Sequence, residues 1–561
     1  MSTVPRVIII FKTSALGMTN ETKRQHGSQR APNLAAAWLQ RHSWAVACLL
    51  AAAFFVQAFC SSRQESLTWD EPSFISAGYA YWTWNAFEVN PSHPPLMQML
   101  EALPLLPMDI RAPGKDDPAW RSQPNPVVEL GHRLIFEGGN DPVQIARWAR
   151  LPVILLGTAL VLCVFAWGRQ LWGTGGGLVA ALLVACDPNL LAHSKLATED
   201  LGCTVFMLAS VWMLHRALIT SQRLRDWLAC GLLTGLALIA KYTALLLLPV
   251  FWAIVLWYAF NTRTKSGAWL WLLPRLLLLG GTALLVVGAG YKGTFDYAAY
   301  IRGMHAIYGD MVANPTFYLC GQASFHPFWY HTFVSLFCKT PVGTLLLLAM
   351  AAVGACRWPR RQAEVFVFLL LPALLIIGVS CFDPFNPGIR RVLPALPFLL
   401  LFAARAWVDF ARLRWLSALL LGGCVLAAVS IYPHHLSFFN TLCGGPERAP
   451  YITDDSDVDW GQDLPALAGW QRQHPEAQPL RLLYFGTAVP AAYGVVAEEQ
   501  LSGQDLGAPS EGYYAISVTT LVSLRKLSQL DGWDTDWLRK YKPCGRAGYS
   551  ILIYRFGKDA Q

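Results

Sequence analysis

Residues 43–71 read SWAVACLLAAAFFVQAFCSSRQESLTWDE. The run from Ser43 to Cys60 is almost entirely apolar and approaches the roughly 20 residues that a helix needs to cross a bilayer. A few residues later, Asp70 and Glu71 put two carboxylates side by side. Charged groups close to hydrocarbon are costly and are usually functional. The stretch therefore predicts a membrane helix that leads into a polar site at the edge of the bilayer.

The composition extends this prediction to the whole chain. Its 561 residues are 54% hydrophobic and 14% charged, and the mean hydropathy is +0.36. A soluble domain carries about 25% charged residues. We therefore predict an all-α, polytopic membrane domain. About eleven apolar segments are long enough to be transmembrane helices: 42–60, 147–167, 174–189, 200–217, 226–240, 242–260, 268–291, 333–354, 363–381, 391–410 and 413–432.

Basic residues predict the orientation of these helices, because cytoplasmic loops are enriched in Lys and Arg. With the N-terminus in the cytoplasm, the predicted internal loops carry Arg216, Arg223, Arg225, Arg263, Lys265, Arg357, Arg360, Arg361, Arg405, Arg412 and Arg414. The loops 61–146 and 292–332 and the chain after about 433 are then external. The net charge of +8 follows from this topology, and a nucleic-acid partner is not indicated.

Three parts follow along the chain. Residues 1–41 are predicted to be a polar cytoplasmic tail, 42–432 the membrane domain, and 433–561 a small external α/β domain. No cleavage site follows the first apolar run, which indicates an uncleaved signal anchor. In the external domain, alternation and turn residues predict strands at 480–485, 513–518 and 550–556 and helices at 463–474 and 520–530.

The first external loop contains two amphipathic stretches rich in aromatic residues, 72–84 and 95–105. Aromatic side chains favour the membrane interface, so we expect two helices that lie flat on the outer leaflet. A partly disordered loop is the alternative.

Two interpretations are open for the acidic pair. Asp70 and Glu71 precede a predicted helix, where carboxylates cap the first turn and favour the helix dipole. Alternatively, Asp70 is a general base that removes a proton from an acceptor hydroxyl. The neighbouring carboxylate of Glu71 would then raise the pKa of one member of the pair.

Other polar residues gather at the same predicted edge. His93, before two prolines, would donate a hydrogen bond, bind a metal or cap a helix. Glu199 and Asp200 either begin a helix or face a cavity, as carboxylates that enter a spanning helix often do.

Three cations break the positive-inside pattern. Lys241, Arg390 and Arg391 stand at predicted external ends of helices, where topology calls for no positive charge. They suggest an anionic partner, and Arg is well suited to bind phosphate. Snorkelling to lipid headgroups is the alternative.

Most of the thirteen cysteines lie in apolar segments, where Cys is usually a small buried hydrophobe. Cys320, Cys443 and Cys544 are external in this topology, so a disulfide between two of them is an option. No Cys or His spacing typical of a metal site occurs.

Four motifs together resemble the GT-C fold glycosyltransferases of the protein O-mannosyltransferase and aminoarabinose transferase superfamily (glycosyltransferase family 39-like, bacterial). They are Asp70-Glu71 after the first helix, His93-Pro94-Pro95 in the same loop, Lys241-Tyr242-Thr243 between helices, and Arg391 followed by Leu393-Pro394-Ala395-Leu396-Pro397. The resemblance covers about residues 42–432. The acidic run Asp455-Ser456-Asp457-Val458-Asp459-Trp460-Gly461-Gln462-Asp463-Leu464 resembles a stretch in members of a bacterial subgroup. Its carboxylates either bind a cation or cap the helix after Asp463.

The resemblance implies a sugar donor linked to polyprenyl phosphate and an acceptor that is a lipid, a glycan or a protein. It implies Asp70 as the base, direct attack with inversion, and a phosphate held by Lys241 and Arg391. Asp70 and Glu71 are the expected catalytic residues. The expected substrate-binding residues are His93, Glu199, Asp200, Lys241, Tyr242, Arg390 and Arg391.

No cofactor is certain, although some relatives use a divalent metal; Glu71, His93 and Glu199 are conceivable ligands. The subgroup implies a multi-pass protein of the bacterial inner membrane. Two other classes stay open: a transporter or flippase of a lipid-linked glycan, which tends to show internal repeats, and a non-catalytic membrane assembly subunit.

Overall fold

The computed structural model describes residues 34–122, 126–261, 268–310, 316–357, 363–385, 388–498, 510–532, 538 and 541–557. Most of the predicted N-terminal tail and the loop residues Arg263, Lys265, Arg360 and Arg361 lie outside these ranges. In chain order the helices are α1 (Leu34–Ser62), α2 (Glu71–Trp84), α3 (Pro95–Ala102), α4 (Pro126–His132), α5 (Pro142–Ala185), α6 (Pro188–Ser194), α7 (Glu199–His215), α8 (Leu224–Ala240), α9 (Leu247–Asn261), α10 (Ala268–Gly290), α11 (Tyr297–Asp310), α12 (His331–Lys339), α13 (Val342–Arg357), α14 (Ala363–Val365), α15 (Leu371–Ser380), α16 (Leu396–Ala403), α17 (Ala406–Asp409), α18 (Arg414–Ser430), α19 (Leu464–Gln473) and α20 (Val518–Asp531).

The predicted fold class is confirmed, and each predicted apolar segment falls largely on helix. The segments 147–167 and 174–189 both lie mostly in α5, whose backbone breaks at Gly173 with a φ of 72°. Among the described residues, eight helices are long and apolar enough to cross a membrane. The number is nine if α12 and α13, which meet at a bend of 110°, form one span. The chain is a multi-pass membrane protein.

Aspartates define where two of these helices begin. The carboxylate of Asp141 accepts hydrogen bonds from Val143 N (2.9 Å) and Gln144 N (3.2 Å) at the start of α5. Asp187 does the same for the first turn of α6. In both helices Pro occupies the following position, where its missing N–H costs nothing.

The first loop contains the two helices that its sequence predicts, α2 and α3. They approach so closely that a Cβ atom on Gly78 would overlap the carbonyl oxygen of Gln98. Tyr81 of α2 is buried and donates a hydrogen bond to Asn90 O (3.2 Å), in the segment that precedes α3. The helices of this loop therefore pack tightly against each other, and this packing fixes the position of α2.

The C-terminal segment folds around a four-stranded sheet. Its strands are β3 (Leu480–Leu483), β4 (Gly512–Ser517), β5 (Gly545–Ala547) and β6 (Ile551–Phe556), which follow a two-stranded ribbon, β1 (Phe317–Leu319) and β2 (Gln322–Ser324). The order is β3-β4-β6-β5, with β3 parallel to β4 and the other pairs antiparallel. The sequence predicts β3, β4 and β6. The sequence does not predict β5, because a strand of three residues is too short to show alternating apolar and polar positions.

The sheet and the first loop share one hydrophobic core. Leu67 and Ile75 of the loop are fully buried in the same cluster as Leu480, Ile551 and Ile553. The sheet is thereby fixed to the loop that carries the acidic pair. The boundary at 433 stays a prediction.

The predicted cap on α19 is wrong. Asp463 stands at the N-cap position, but its side chain makes no capping hydrogen bond. Its carboxylate instead accepts hydrogen bonds from the backbone of Tyr549 and Ser550, from the Ser550 hydroxyl (2.9 Å), and contacts His434 Nδ1 (3.0 Å). Asp463 therefore stabilises the turn before β6, a contact across 87 positions that local sequence cannot reveal.

Candidate active site

A cavity of about 500 Å³ lies where the first turns of α2 and α7 meet the 3-10 helix Gly388–Ala395, with α20 opposite them. Seven of the predicted site residues line this cavity: Asp70, His93, Glu199, Asp200, Lys241, Arg390 and Arg391. The structure therefore brings together residues from four separate parts of the chain.

Asp70 immediately precedes α2, and its side chain makes no capping hydrogen bond. Its Oδ2 accepts a hydrogen bond from Arg390 NH1 (3.0 Å), and 29% of its side chain is exposed. The capping interpretation thus fails for Asp70. Its carboxylate is paired with Arg390 and opens on the cavity, where it is within reach of a bound ligand.

Arg390 is held from two sides. Its guanidinium lies over the ring of Trp460, 4.5 Å from the ring centre, and pairs with Asp70. The backbone next to it is fixed by Asp457, whose Oδ1 accepts a hydrogen bond from Ile389 N (2.8 Å). Both Trp460 and Asp457 belong to the acidic run before α19. The segment before α19 therefore positions a cation of the 3-10 helix that precedes α16.

Asp455 adds a further carboxylate to the same wall. Burial raises the pKa of Asp455 to about 6, although the nearby Arg390 opposes this shift. Asp454, its neighbour, forms an ion pair with Lys526 of α20 (2.6 Å). The sequence could not connect this acidic run to the site, because the contacts span more than sixty positions.

On the opposite side, Lys241 links two carboxylates at the start of α7. Its Nζ lies 2.6 Å from Asp200 Oδ1 and 3.0 Å from Glu199 Oε1. His93 Nδ1 lies 3.0 Å from the other oxygen of Glu199. Burial opposes the charged imidazole, but the Glu199 carboxylate outweighs it and raises the pKa of His93. Two carboxylates and two basic groups thus form one chain of ion pairs.

An apolar groove of about 330 Å³ adjoins the cavity. Glu199, Lys241 and Arg391 line both spaces. The apolar part of the groove is made by Leu245, Leu246, Met304, Ile307, Val379 and Phe382. Arg391, which is ion-paired with Asp383, therefore stands at the junction of a polar and an apolar space. Tyr242 lies in the groove and does not line the 500 Å³ cavity.

Glu71 has a different environment from Asp70, because adjacent helical positions point in different directions. It is fully buried and bound by Arg150 through both Nε (2.8 Å) and NH2 (2.7 Å). Its oxygens also accept hydrogen bonds from Ala197 N and Thr68 N (2.7 Å each). Burial alone would raise its pKa, but the Arg150 guanidinium lowers the pKa of Glu71 overall.

Glu71 therefore fastens the loop to α5 and to the segment between α6 and α7, and it does not line the cavity. Its partner, Arg150, was not predicted from the sequence. An arginine inside an apolar segment was the available signal, since such a charge needs a buried partner.

Metal binding was the remaining option for this region. His93 and Glu199 are in contact, whereas the Glu71 carboxylate is bound by Arg150. Among the described residues, no group of three or more His, Cys, Asp or Glu side chains is placed to hold a metal ion.

Comparison with known proteins links part of the chain to one family. Residues 143–286, from α5 into α10, match the family described as dolichyl-phosphate-mannose-protein mannosyltransferase. The matched part includes Arg150, Glu199, Asp200 and Lys241. No curated protein matches the chain.

Three solved structures are similar in fold. The apo structure of ArnT from Cupriavidus metallidurans has 12% identity and a TM-score of 0.49, with 93% of this chain and 98% of ArnT covered. The apo oligosaccharyltransferase of Archaeoglobus fulgidus has 12% identity, a TM-score of 0.45, and coverage of 90% and 73%. The S. cerevisiae protein O-mannosyltransferase Pmt1-Pmt2 complex bound to the sugar donor has 16% identity, a TM-score of 0.33, and coverage of 48% and 36%.

The family match over residues 143–286, which include the motif Lys241-Tyr242-Thr243, confirms the predicted resemblance to the protein O-mannosyltransferases over this part of the chain.

Proposed function

We propose that the protein is a membrane glycosyltransferase that moves a sugar from a polyprenyl-phosphate-linked donor to an acceptor hydroxyl. The observation that carries this proposal is the position of Asp70. Its carboxylate opens on a cavity that also contains Lys241, Arg390 and Arg391, and this cavity adjoins an apolar groove. A carboxylate base, a cationic phosphate site and a place for a lipid tail are the three things that this reaction needs.

In this proposal the donor phosphate binds near Lys241 and Arg391, where both spaces meet, and the polyprenyl chain enters the groove beside Tyr242. The sugar extends into the cavity toward Asp70. Glu199 and Asp200 hold Lys241 in place through their ion pairs with it. His93 in turn holds Glu199 through the contact at 3.0 Å.

The reaction is a single displacement. Asp70 takes the proton of the acceptor hydroxyl, whose oxygen attacks the anomeric carbon while the bond from that carbon to the phosphate oxygen breaks. The electrons of the broken bond leave with the polyprenyl phosphate, and one attack inverts the anomeric centre. The cations stabilise the negative charge that develops on the phosphate, which is the usual way in which a polar site lowers such a barrier.

Arg390 connects the carboxylate base, Asp70, with the binding of the donor phosphate. It pairs with Asp70 at 3.0 Å. A donor phosphate would compete for the guanidinium, because phosphate accepts two of its hydrogen bonds. Binding of the donor would thereby release the Asp70 carboxylate for the acceptor hydroxyl.

We also propose that this chemistry takes place on the outer face of a bacterial inner membrane. The N-terminus would be cytoplasmic and the C-terminal domain periplasmic, as the distribution of Lys and Arg predicts. The acceptor is a lipid, a glycan or a protein that carries a hydroxyl.

Lipid mass spectrometry of a deletion strain tests the proposal. The strain is complemented with wild type, with Asp70→Asn, or with Asp116→Asn, an exposed control in the same loop. We expect one polyprenyl-phosphate sugar to accumulate in the deletion and in Asp70→Asn, and to be cleared by wild type and the control. An Asp70→Asn variant that is produced normally and clears the lipid would reject Asp70 as base and restore the transporter and assembly-subunit alternatives.

A further inference from the structure

Two cysteines meet where α12 ends. The sulfur atoms of Cys338 and Cys443 are 2.7 Å apart, although the residues are separated by 105 positions. This is closer than two non-bonded sulfur atoms pack, and it approaches the length of a disulfide bond, about 2.05 Å. Cys338 is buried and Cys443 is partly buried, so the pair is enclosed by the protein.

The backbone around the two cysteines is fixed by an asparagine. Asn440 N donates to Cys338 O (2.7 Å), and Asn440 Nδ2 donates to Phe337 O (2.6 Å) and Thr340 O (3.0 Å). The Asn440 Oδ1 atom accepts a hydrogen bond from Cys443 N (3.2 Å). The turn that carries Cys443 is therefore docked on the end of α12 independently of the sulfur atoms. Their proximity follows from this docking.

We propose that Cys338 and Cys443 form a disulfide bond in the mature protein. The oxidant is a protein disulfide of the thiol-disulfide oxidoreductase class. Each cysteine gives up its thiol proton and, together, the pair gives up two electrons; one S–S bond forms in this chain, one breaks in the oxidant, and the oxidant gains two thiols. The proposal needs this face to be in an oxidising compartment, which is where the basic residues place it.

The pairing differs from the one that sequence allows for Cys443. Cys320 lies in the turn between β1 and β2, where its N–H donates to Ile452 O (2.8 Å). The Cys544 sulfur is directed to Ile553 O (3.4 Å) beside the C-terminal sheet. Cys338 was assigned to an apolar segment, and in the structure it is buried in one cluster with Phe439, Ala449, Val458 and Val518 of the chain after α18.

The bond would support the wall of the cavity. Lys339, next to Cys338, donates to Leu436 O (2.7 Å) and to Asp457 O. Ser335, one turn earlier, donates to Asp457 Oδ2 (2.9 Å). A disulfide at Cys338 thus ties α12 to the segment that fixes Ile389 and Arg390. It does not depend on which reaction the cavity performs.

Non-reducing peptide mass spectrometry tests the pairing. Membranes are denatured in N-ethylmaleimide, digested, and compared before and after reduction. We expect a cross-linked peptide that contains Cys338 and Cys443, with neither residue alkylated before reduction. Alkylation of both, or a link from Cys443 to Cys320 or Cys544, would overturn the proposal.

A stability measurement distinguishes a disulfide bond from two thiols that only pack against each other. We expect a reductant to lower the thermal unfolding midpoint of the detergent-solubilised wild type. The matched variant Cys320→Ala should keep this response, and Cys338→Ala/Cys443→Ala should lose it. An equal response to reductant in the double variant would show that another bond is responsible and would reject this one.

Discussion

The Arg390 guanidinium donates a hydrogen bond to the Asp70 carboxylate across 320 positions of sequence. The pair joins the start of α2 to the 3-10 helix that leads into α16, and it faces the cavity. Because Arg390 also lies over Trp460, three distant parts of the chain converge on one guanidinium.

Replacement of Arg390 should therefore impair the reaction more than the fold. We expect Arg390→Ala to lower the turnover of a polyprenyl-phosphate sugar by about 10²–10³-fold, the loss typical of one removed stabilising donor. Arg390→Lys should lose less, because it keeps the charge but not the planar fork. Turnover in detergent micelles is the measurement.

Arg133→Ala is the matched control, since Arg133 pairs with Glu129 (2.8 Å) outside the cavity. If Arg133→Ala lost as much activity as Arg390→Ala, the loss would not depend on the position of Arg390 in the cavity.

Asp457 should act through Arg390. Its two carboxylate oxygens accept hydrogen bonds from Ile389 N and Ser335 Oγ, and Asn can replace only one of these acceptors. We expect Asp457→Asn to raise the apparent KM for the donor and to lower turnover less than Arg390→Ala does. Asp531→Asn, at the exposed end of α20, should leave both parameters unchanged; an unchanged KM in Asp457→Asn would remove its positioning role.

Glu71 should matter for stability. Glu71→Ala would leave Arg150 buried without its carboxylate, and breaking one side of a buried ion pair typically costs about 3–5 kcal/mol. The double variant Glu71→Leu/Arg150→Met should recover only part of this loss: it removes the uncompensated charge, but it leaves the N–H groups of Thr68 and Ala197 without their acceptor. Unfolding midpoints in detergent would check both. A single variant as stable as wild type would contradict the role given to Glu71.

The contact between His93 and Glu199 should make stability depend on pH. The folded-state pKa of His93 is raised above its ordinary value of 6.5. The stabilisation is therefore complete below pH 6.5 and is lost as the pH rises through the raised pKa. The unfolding midpoint of wild type should exceed that of His93→Gln most in acid, and the difference should shrink in alkali. A difference that grows with pH would contradict the charged pair.

Patterns of short range could be predicted from the sequence, because they depend on neighbours along the chain. Apolar run lengths predicted the helices, and alternation predicted β3, β4 and β6. Lys241, Arg390 and Arg391, the cations that break the positive-inside pattern, line one cavity, and their external position stays a prediction. Adjacent carboxylates could not be separated in this way: Glu71 differs from Asp70 only because Arg150, 79 positions away, binds it. The expected cap by Asp463 failed for the same reason, since its partners Tyr549 and Ser550 belong to the turn before β6.

The order of synthesis affects the hydrophobic core that the first loop shares with the C-terminal sheet. Leu67 and Ile75 leave the ribosome long before Ile551 and Ile553, which pack in the same cluster. The apolar side chains of the first loop therefore stay uncovered until strand β6 has been made. A chain that stopped short of β6 would possess Asp70 and the described candidate membrane helices, and would still lack the strand that completes the core of the first loop.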